Sequence, residues 1–363
     1  MRSNKCLYIT LQPMVSGDGA SDKAIAQKNA ISKIGIECHI AYLTNSESGF
    51  ILHLDGEKVA EIQRYSEIFK PLFKIVTTLD VNTIYLRYVV MATYDFNNFM
   101  KLSKARGIKI YLEIPTYPYD GEADLSSFKR AYGIYRERFF RRFLHKYVYR
   151  IVTYSLDKVI FKAPTIQLSN APARALPVTK SVRDSSSFRM IAVANLAFWH
   201  GYDRLIRGLA NYYENNPDYK VYLTLVGKGN AVIYNELENL VKEKALSKYV
   251  HFVGQKANKE LDEYFNNADL AIGCLGCHRK KIYEVKSLKN VEYAMRGLPF
   301  IYSESNSDFD DKPYVLREPA DESDIDIKRI IEFADSLKMS AQEISESVKE
   351  YTWENQMRKV FCS

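Results

Sequence analysis

Short apolar runs alternate with helical periodicities along almost the whole chain, and this alternation limits the possible folds more than any other feature. In the first half, CLYITL (6–11), ECHIAYL (37–43), TIYLRY (83–88), KIYLEI (109–114) and RIVTYS (150–155) read as strands. Helical stretches lie between most of them. One, DKAIAQKNAISKIG (22–35), ends at Gly35, the residue type that most readily closes a helix. Parallel strands need a crossover connection, usually a helix, so the alternation predicts stacked βαβ units. The pattern lapses at residues 171–187, which are rich in Ala, Pro and Ser and lack apolar periodicity. It then restarts with FRMIAVAN (188–195), KVYLTLVG (220–227), YVHFVG (249–254), LAIGCL (270–275) and PFIYS (299–303) as strands, and GYDRLIRGLANYY (201–213) as a helix.

The expected fold class is therefore α/β, with two Rossmann-like doubly wound domains facing across a cleft. The expected divisions are 1–170, a linker at 171–187, 188–345, and a C-terminal helix at 346–363 that returns to the first domain. A chain of 363 residues exceeds what one core usually serves, which agrees with two domains. No stretch approaches the roughly 20 apolar residues of a membrane span. The N-terminal MRSNKCLYITLQP reads as a first strand rather than a signal peptide, so a cytoplasmic location is expected. Five cysteines, an odd number, argue against a disulfide framework. Cys274-Leu-Gly-Cys277-His278 has the pattern of c-type haem attachment. Without an export signal, two small thiols at the end of a buried strand are the better reading.

EVKSLKNVE (284–292) places two carboxylates around two lysines, just ahead of YAMRGLP. Ser287 suits a helix N-cap, and Gly297 with Pro299 suits its end, so a helix over about 288–296 is expected. Glu284 then falls in the loop and Glu292 inside the helix. Between them the helix N-terminus offers free N–H groups and the positive end of a dipole, which suits phosphate. Lys286 and Lys289 add charge. A central diphosphate with a hydroxylated ring at each end, as in a nucleotide-sugar, fits this spacing, because carboxylates accept hydrogen bonds from sugar hydroxyls. A capped surface helix with scattered charge is the alternative.

The glutamate pair and the Gly297-Leu298-Pro299 that follows resemble the signature of the retaining glycosyltransferases of family 4, which have the GT-B fold. LVGKGN (225–230), SNAPA (169–173) and YTWENQM (351–357) extend the resemblance over nearly the whole chain. CHRKKIYEVKSLKNVEYAMRGLP (277–299) is similar to a subgroup that builds surface polysaccharides. The resemblance implies that Glu292 holds the ribose hydroxyls, that Glu284 places the donor sugar as the catalytic residue, and that the backbone of Val285, Ser287 and Lys289 cradles the diphosphate. It also implies that Gly17 and Gly19, in SGDGAS (16–21), let a loop of the first domain approach the donor. Most members of that family carry an Arg and a Lys after the first strand of the second domain. In ANLAFWHGYDR (194–204) Asn195 and His200 stand there instead. A bound diphosphate would raise the pKa of His200. Arg279, Lys280, Lys281 and Lys289 are candidates for the missing charge. No metal or other cofactor is required, and the co-substrate is a nucleotide-sugar, UDP-linked rather than GDP-linked. Asp308-Phe-Asp310 has the form of a metal-binding Asp-x-Asp, a tripeptide common by chance.

Acceptor-side candidates are Glu113, Asp120 and Glu122 in YLEIPTYPYDGEAD (111–124), which follows a strand. The basic charge is concentrated in the first half. Residues 1–187 hold 27 Lys/Arg and 17 Asp/Glu (27 − 17 = +10) and the rest 24 and 27 (24 − 27 = −3). Eight of those cations and one acid lie in KRAYGIYRERFFRRFLHKYVYR (129–150). Tyr132, Tyr135, Phe139, Phe143 and Tyr147 recur there at helical steps, a stripe expected to be partly core. Arg136, Arg138, Arg141, Arg142 and Lys146 are the expected contacts to an anionic membrane surface, with nucleic acid the competing and disfavoured partner. The expected protein is thus a retaining, metal-independent hexosyltransferase, peripheral on the inner membrane face. Its expected acceptor is a lipid-linked or growing surface glycan. A nucleotide-sugar epimerase of the same fold and a non-catalytic nucleotide-sugar-binding module are the alternatives.

Overall fold

A computed structural model describes residues 4–15, 19–89, 91–120, 127–179, 186–256 and 258–362. The chain divides into two compact units, residues 1–169 with 352–363, and residues 170–351.

In the first unit, in chain order, lie β1 (Lys5–Pro13), α1 (Gly19–Lys33), β2 (Glu37–Ser46), β3 (Gly49–Leu54), β4 (Glu57–Ile62), α2 (Phe69–Thr78), β5 (Thr83–Arg87), α3 (Tyr94–Ala105), β6 (Lys109–Ile114), α4 (Phe128–Arg141), β7 (Arg150–Thr153), β8 (Val159–Ile160) and β9 (Ala163–Gln167). Its sheet runs β4-β3-β2-β1-β5-β6-β7-β9-β8. The pairs from β2 through β7 to β9 are parallel, and antiparallel pairs extend both edges. The β3–β4 hairpin was not foreseen. It turns at Asp55 (φ 50°) and Gly56 (φ 99°), the positive-φ pair that a tight hairpin requires. The last helix of the chain, α11 (Trp353–Phe361), belongs to this unit: Phe361 packs on Tyr85 and Tyr111, and Lys33 pairs with Glu354 at 2.6 Å.

The second unit contains β10 (Ser187–Val193), α5 (Tyr202–Tyr213), β11 (Lys220–Val226), α6 (Ala231–Glu243), β12 (Val250–Gly254), α7 (Asn258–Asn266), β13 (Leu270–Ile272), α8 (Leu288–Met295), β14 (Phe300–Tyr302), β15 (Val315–Arg317), α9 (Ile327–Ser336) and α10 (Ala341–Glu346). Its sheet is wholly parallel in the order β12-β11-β10-β13-β14-β15. Consecutive side chains of β10 enter opposite cores. Phe188, Met190 and Ala192 join one cluster, and Ile191 joins the other. Burial on both faces explains why the strands read as continuous apolar runs. The strand order reverses between β10 and β13, and ligands of such sheets bind beyond the carboxyl ends at that reversal.

Residues 170–179 carry no helix or strand, yet they are held to the second unit. Asn170 donates to the Lys286 carbonyl at 2.5 Å, Arg174 pairs with Asp262, and the Thr179 N–H donates to the Arg296 carbonyl.

Candidate functional site

Beyond β10 the chain must pass close under its neighbours. At Gly227 (φ +136°) a Cβ would lie 1.8 Å from the Ala194 carbonyl oxygen, so only glycine lets the turn after β11 press on the end of β10. Asn195 is exposed at that end. A short 3-10 helix, Phe198–His200, follows and buries His200. The Ala197 N–H donates to His200 Nδ1 at 3.1 Å, which leaves the proton of the neutral ring on Nε2. Burial first, then the charges of Lys289 and Lys280, drive the His200 pKa down to about 2. The imidazole is therefore a neutral hydrogen-bond donor rather than a replacement cation.

The loop after β13 forms a second 3-10 helix, Cys277–Lys280, set against the first. Arg279 is the clasp. It donates to Asp203 (2.8 and 2.9 Å), Glu322 (2.6 and 2.9 Å) and the Phe198 carbonyl (2.7 Å). The sequence expectation that Arg279 supplies phosphate charge therefore meets a guanidinium already engaged with two carboxylates. Lys280 lies over the Trp199 ring at 4.0 Å. Lys286 is also engaged, with Asp308 at 2.8 Å, while Asp310 accepts from Tyr302, Ser305 and the Asn306 N–H. Asp308 and Asp310 thus brace the loop after β14. Among the described residues no group of three or more His, Cys, Asp or Glu is placed to hold a metal ion.

Glu284 bridges to Ser305, the Val285 N–H donates to the Ser305 carbonyl at 2.9 Å, and Val285 packs on Cys274, Cys277 and Ile282. Ser287 is the N-cap residue of α8, but its side chain makes no capping hydrogen bond among the described residues. The first-turn N–H groups of α8 are thus not satisfied by their own cap. In that first turn Lys289 has a buried Nζ with no hydrogen-bond acceptor among the described residues. Glu292 lies one turn on, and burial raises its pKa against the opposing charges of Arg296, Arg174 and Lys289. Glu304, not anticipated from the sequence, accepts the Cys277 N–H at 2.5 Å and the His278 N–H at 3.3 Å. Burial, helped by charge at Cys274, raises its pKa to about 7.

In the first unit, Gly19 opens α1, and a Cβ there would meet nothing within 4 Å among the described residues, whereas Gly17 and Glu122 lie outside them. Glu113 is wholly buried. It accepts from Tyr85 (2.5 Å) and Gln27 (2.8 Å) and pairs with Lys23 at 3.6 Å. Burial raises its pKa, but Lys23, Arg87 and these donors outweigh it, and burial in turn holds Lys23 down to about 8. Asp120 accepts from Arg138 and Arg141. Glu113 and Asp120 are thus engaged inside the unit. Arg138 and Arg141 turn toward Asp120, while Arg136, Arg142 and Lys146 are exposed. Of the aromatic stripe expected to be partly core, Tyr132, Tyr135 and Phe139 are 60%, 61% and 52% exposed, while Tyr147 packs against the core of this unit.

Residues 178–309 match the family model described as glycosyl transferases group 1. No curated protein sequence matches the chain. Among solved structures, sucrose-phosphate synthase from Thermosynechococcus elongatus superposes with a TM-score of 0.66 at 14% identity, over 99% of this chain and 98% of that one. A glycosyltransferase from Rickettsia africae gives 0.64 at 10% identity, over 99% and 97%. HepE from Anabaena, in complex with UDP and glucose, gives 0.59 at 13% identity, over 99% of each chain. At these identities the likeness shows the fold, the GT-B type with its two Rossmann-like units.

Proposed function

We propose that the protein is a retaining, metal-independent glycosyltransferase that moves a hexosyl group from a UDP-sugar to a lipid-linked or growing surface glycan. One observation carries this reading: among the described residues the buried Nζ of Lys289 has no acceptor and the Ser287 side chain makes no capping bond, in the first turn of a helix at the strand-order reversal of the second sheet. A diphosphate would satisfy the lysine and the helix N–H groups together. The Nε2–H of His200 is a further donor. Glu292 would take the ribose hydroxyls and Glu284 the sugar. In the transfer, the sugar C1–O bond to the β-phosphate breaks and a new C1–O bond forms to the acceptor oxygen on the same face. The departing phosphate takes the hydroxyl proton. The family match over residues 178–309 and the UDP and glucose bound in HepE support a UDP-sugar donor.

In thermal-shift measurements UDP should raise the melting temperature, with about 2.7 kcal/mol of stabilisation at one hundred times its Kd. ADP and GDP should do so less. NMR of the donor incubated alone should show no epimer. An epimer formed without acceptor would replace this reading with an epimerase.

The exposed stripe of α4 supplies the membrane-facing part of the proposal. Arg136 lies near the Tyr132 ring, Arg138 near Tyr135 and Lys146 near Phe143, so aromatic rings and cations share one surface. Such a surface suits anionic headgroups above an acyl boundary. The protein should sediment with vesicles containing phosphatidylglycerol and not with pure phosphatidylcholine. Replacing Tyr132, Tyr135 and Phe139 with Ser should abolish this without changing UDP affinity. Equal binding to both kinds of vesicle would remove the membrane from the proposal.

A further inference from the structure

The molecule holds two pairs of neighbouring thiols, and their surroundings differ. Cys6 and Cys38 face each other in register across β1 and β2, and both are buried in the first unit. Burial, then the Cys38 thiol, pushes Cys6 well above its ordinary pKa. Cys274 and Cys277 lie at the donor site, one just past β13 and the other opening the 3-10 helix, and they share a small buried cluster with Ile282. Around this second pair stand the Lys289 Nζ, without an acceptor among the described residues, and Lys280. Tyr202 and Glu304 are the other titratable neighbours. A hydrogen bond from Cys277 first, then the charges of Lys289 and Lys280, lowers the Cys274 pKa against its burial, while that bond, burial and the Glu304 carboxylate, which accepts the Cys277 N–H, push Cys277 up. A low-pKa thiol beside a second thiol is the arrangement of a reactive cysteine and its resolving partner.

We propose that Cys274 and Cys277 form a peroxide-responsive dithiol in the donor site, with Cys274 attacking and Cys277 resolving. The Cys274 thiolate forms an S–O bond to one oxygen of hydrogen peroxide as the O–O bond breaks, and hydroxide leaves and is protonated to water. Cys277 then attacks the sulfenic sulfur. An S–S bond forms, the S–O bond breaks, and the departing hydroxide takes the Cys277 proton. In sum, two thiols and one peroxide give one disulfide and two waters. Peroxide is small enough for a site in which Cys274 is 9% and Cys277 5% exposed. The step removes the thiolate charge facing Lys289. On the reading that Lys289 holds the donor phosphates, the oxidised protein then binds UDP more tightly, and by reciprocity bound UDP favours the disulfide at equilibrium.

The test uses the full chain with Cys362→Ser, which removes the exposed thiol. It is treated with one equivalent of hydrogen peroxide, alkylated after unfolding, and mapped by mass spectrometry. The peptide containing Cys274 and Cys277 should escape alkylation and recover with dithiothreitol, while Cys6 and Cys38 are alkylated. Cys277→Ser should stop at a sulfenic acid on Cys274 that dimedone captures. Lys289→Met should slow the reaction about tenfold, because a cation no longer favours the thiolate. UDP should bind the oxidised protein several-fold more tightly. Full alkylation of Cys274 and Cys277, no dimedone adduct in Cys277→Ser, or unchanged UDP affinity after oxidation would each overturn the proposal. If the disulfide fails to form while UDP still shifts the melting temperature, only the dithiol falls. If it forms and UDP produces no shift, the donor reading falls instead.

Discussion

Lys289→Met is expected to weaken UDP binding by about 10- to 100-fold while making the free protein more stable. The two effects share one cause. The Lys289 Nζ is buried and has no hydrogen-bond acceptor among the described residues, and the charge at Cys274 faces it without a hydrogen bond, so the free protein bears much of the cost of desolvating a charged group. Methionine keeps the stem volume and removes that cost. A phosphate supplies the acceptor the lysine lacks, and a hydrogen bond between charged groups contributes about 1.5–3 kcal/mol, which sets the loss in affinity. A residue that stabilised only the fold would lower stability when removed, and one that was merely solvated would change neither quantity. Isothermal titration with UDP and urea denaturation of the free protein read the two effects separately. Lower stability in Lys289→Met, or unchanged UDP affinity, would return α8 to an ordinary surface helix. Arg279→Met should behave differently. Its guanidinium is shared among Asp203, Glu322 and the Phe198 carbonyl, so its loss should loosen the two 3-10 helices before it affects phosphate.

That contrast shows what the sequence could and could not reveal. Position in the fold was legible, because β10 to β14 are apolar runs of parallel-sheet character and α8 starts and ends at Ser287 and Gly297 as its residue types require. The glutamate spacing was legible because it is local. The engagement of each cation was not. Arg279 meets Asp203 and Glu322, which are 76 and 43 residues away, and no periodicity encodes such pairs. Glu304 escaped notice for the same reason, since it caps a 3-10 helix 27 residues before it. The β3–β4 hairpin did carry a signal, Asp55-Gly56 between two alternating runs, and could have been read. The stripe, expected to be partly core because helices in this fold pack on their sheet, is divided: Tyr147 packs against the core of the first unit, whereas Tyr132, Tyr135 and Phe139 are exposed.

The largest loss of stability is expected at Arg204, which the sequence shows only as one more charge on an amphipathic helix. Its side chain, on α5, is fully buried. The guanidinium donates to the Leu275 carbonyl after β13, to Ser303 Oγ at 3.2 Å after β14, and to the Pro319 (2.9 Å) and Ser323 (2.7 Å) carbonyls after β15. One side chain thus fastens the carboxyl-end loops of three neighbouring strands, including the loop that carries Cys277 to Glu284. Its nearest carboxylate, Asp321 at 3.5 Å, is 58% exposed, so the buried charge is balanced mainly by carbonyl dipoles. Arg204→Met preserves length and volume but leaves those carbonyls without donors, each costing about 1–3 kcal/mol. The sum, reduced by relaxation and by relief from burying a charge, is expected to be about 3–5 kcal/mol. Trp199 and Trp353 are the two tryptophans, one in each unit, so a Trp353→Phe background makes Trp199 fluorescence report the second unit alone. Urea unfolding in that background should show the midpoint falling with m unchanged, as for a change in stability without a change in the surface exposed. A loss below about 1 kcal/mol would mean that water replaces the guanidinium at the three carbonyls and that these loops are held by their own turns.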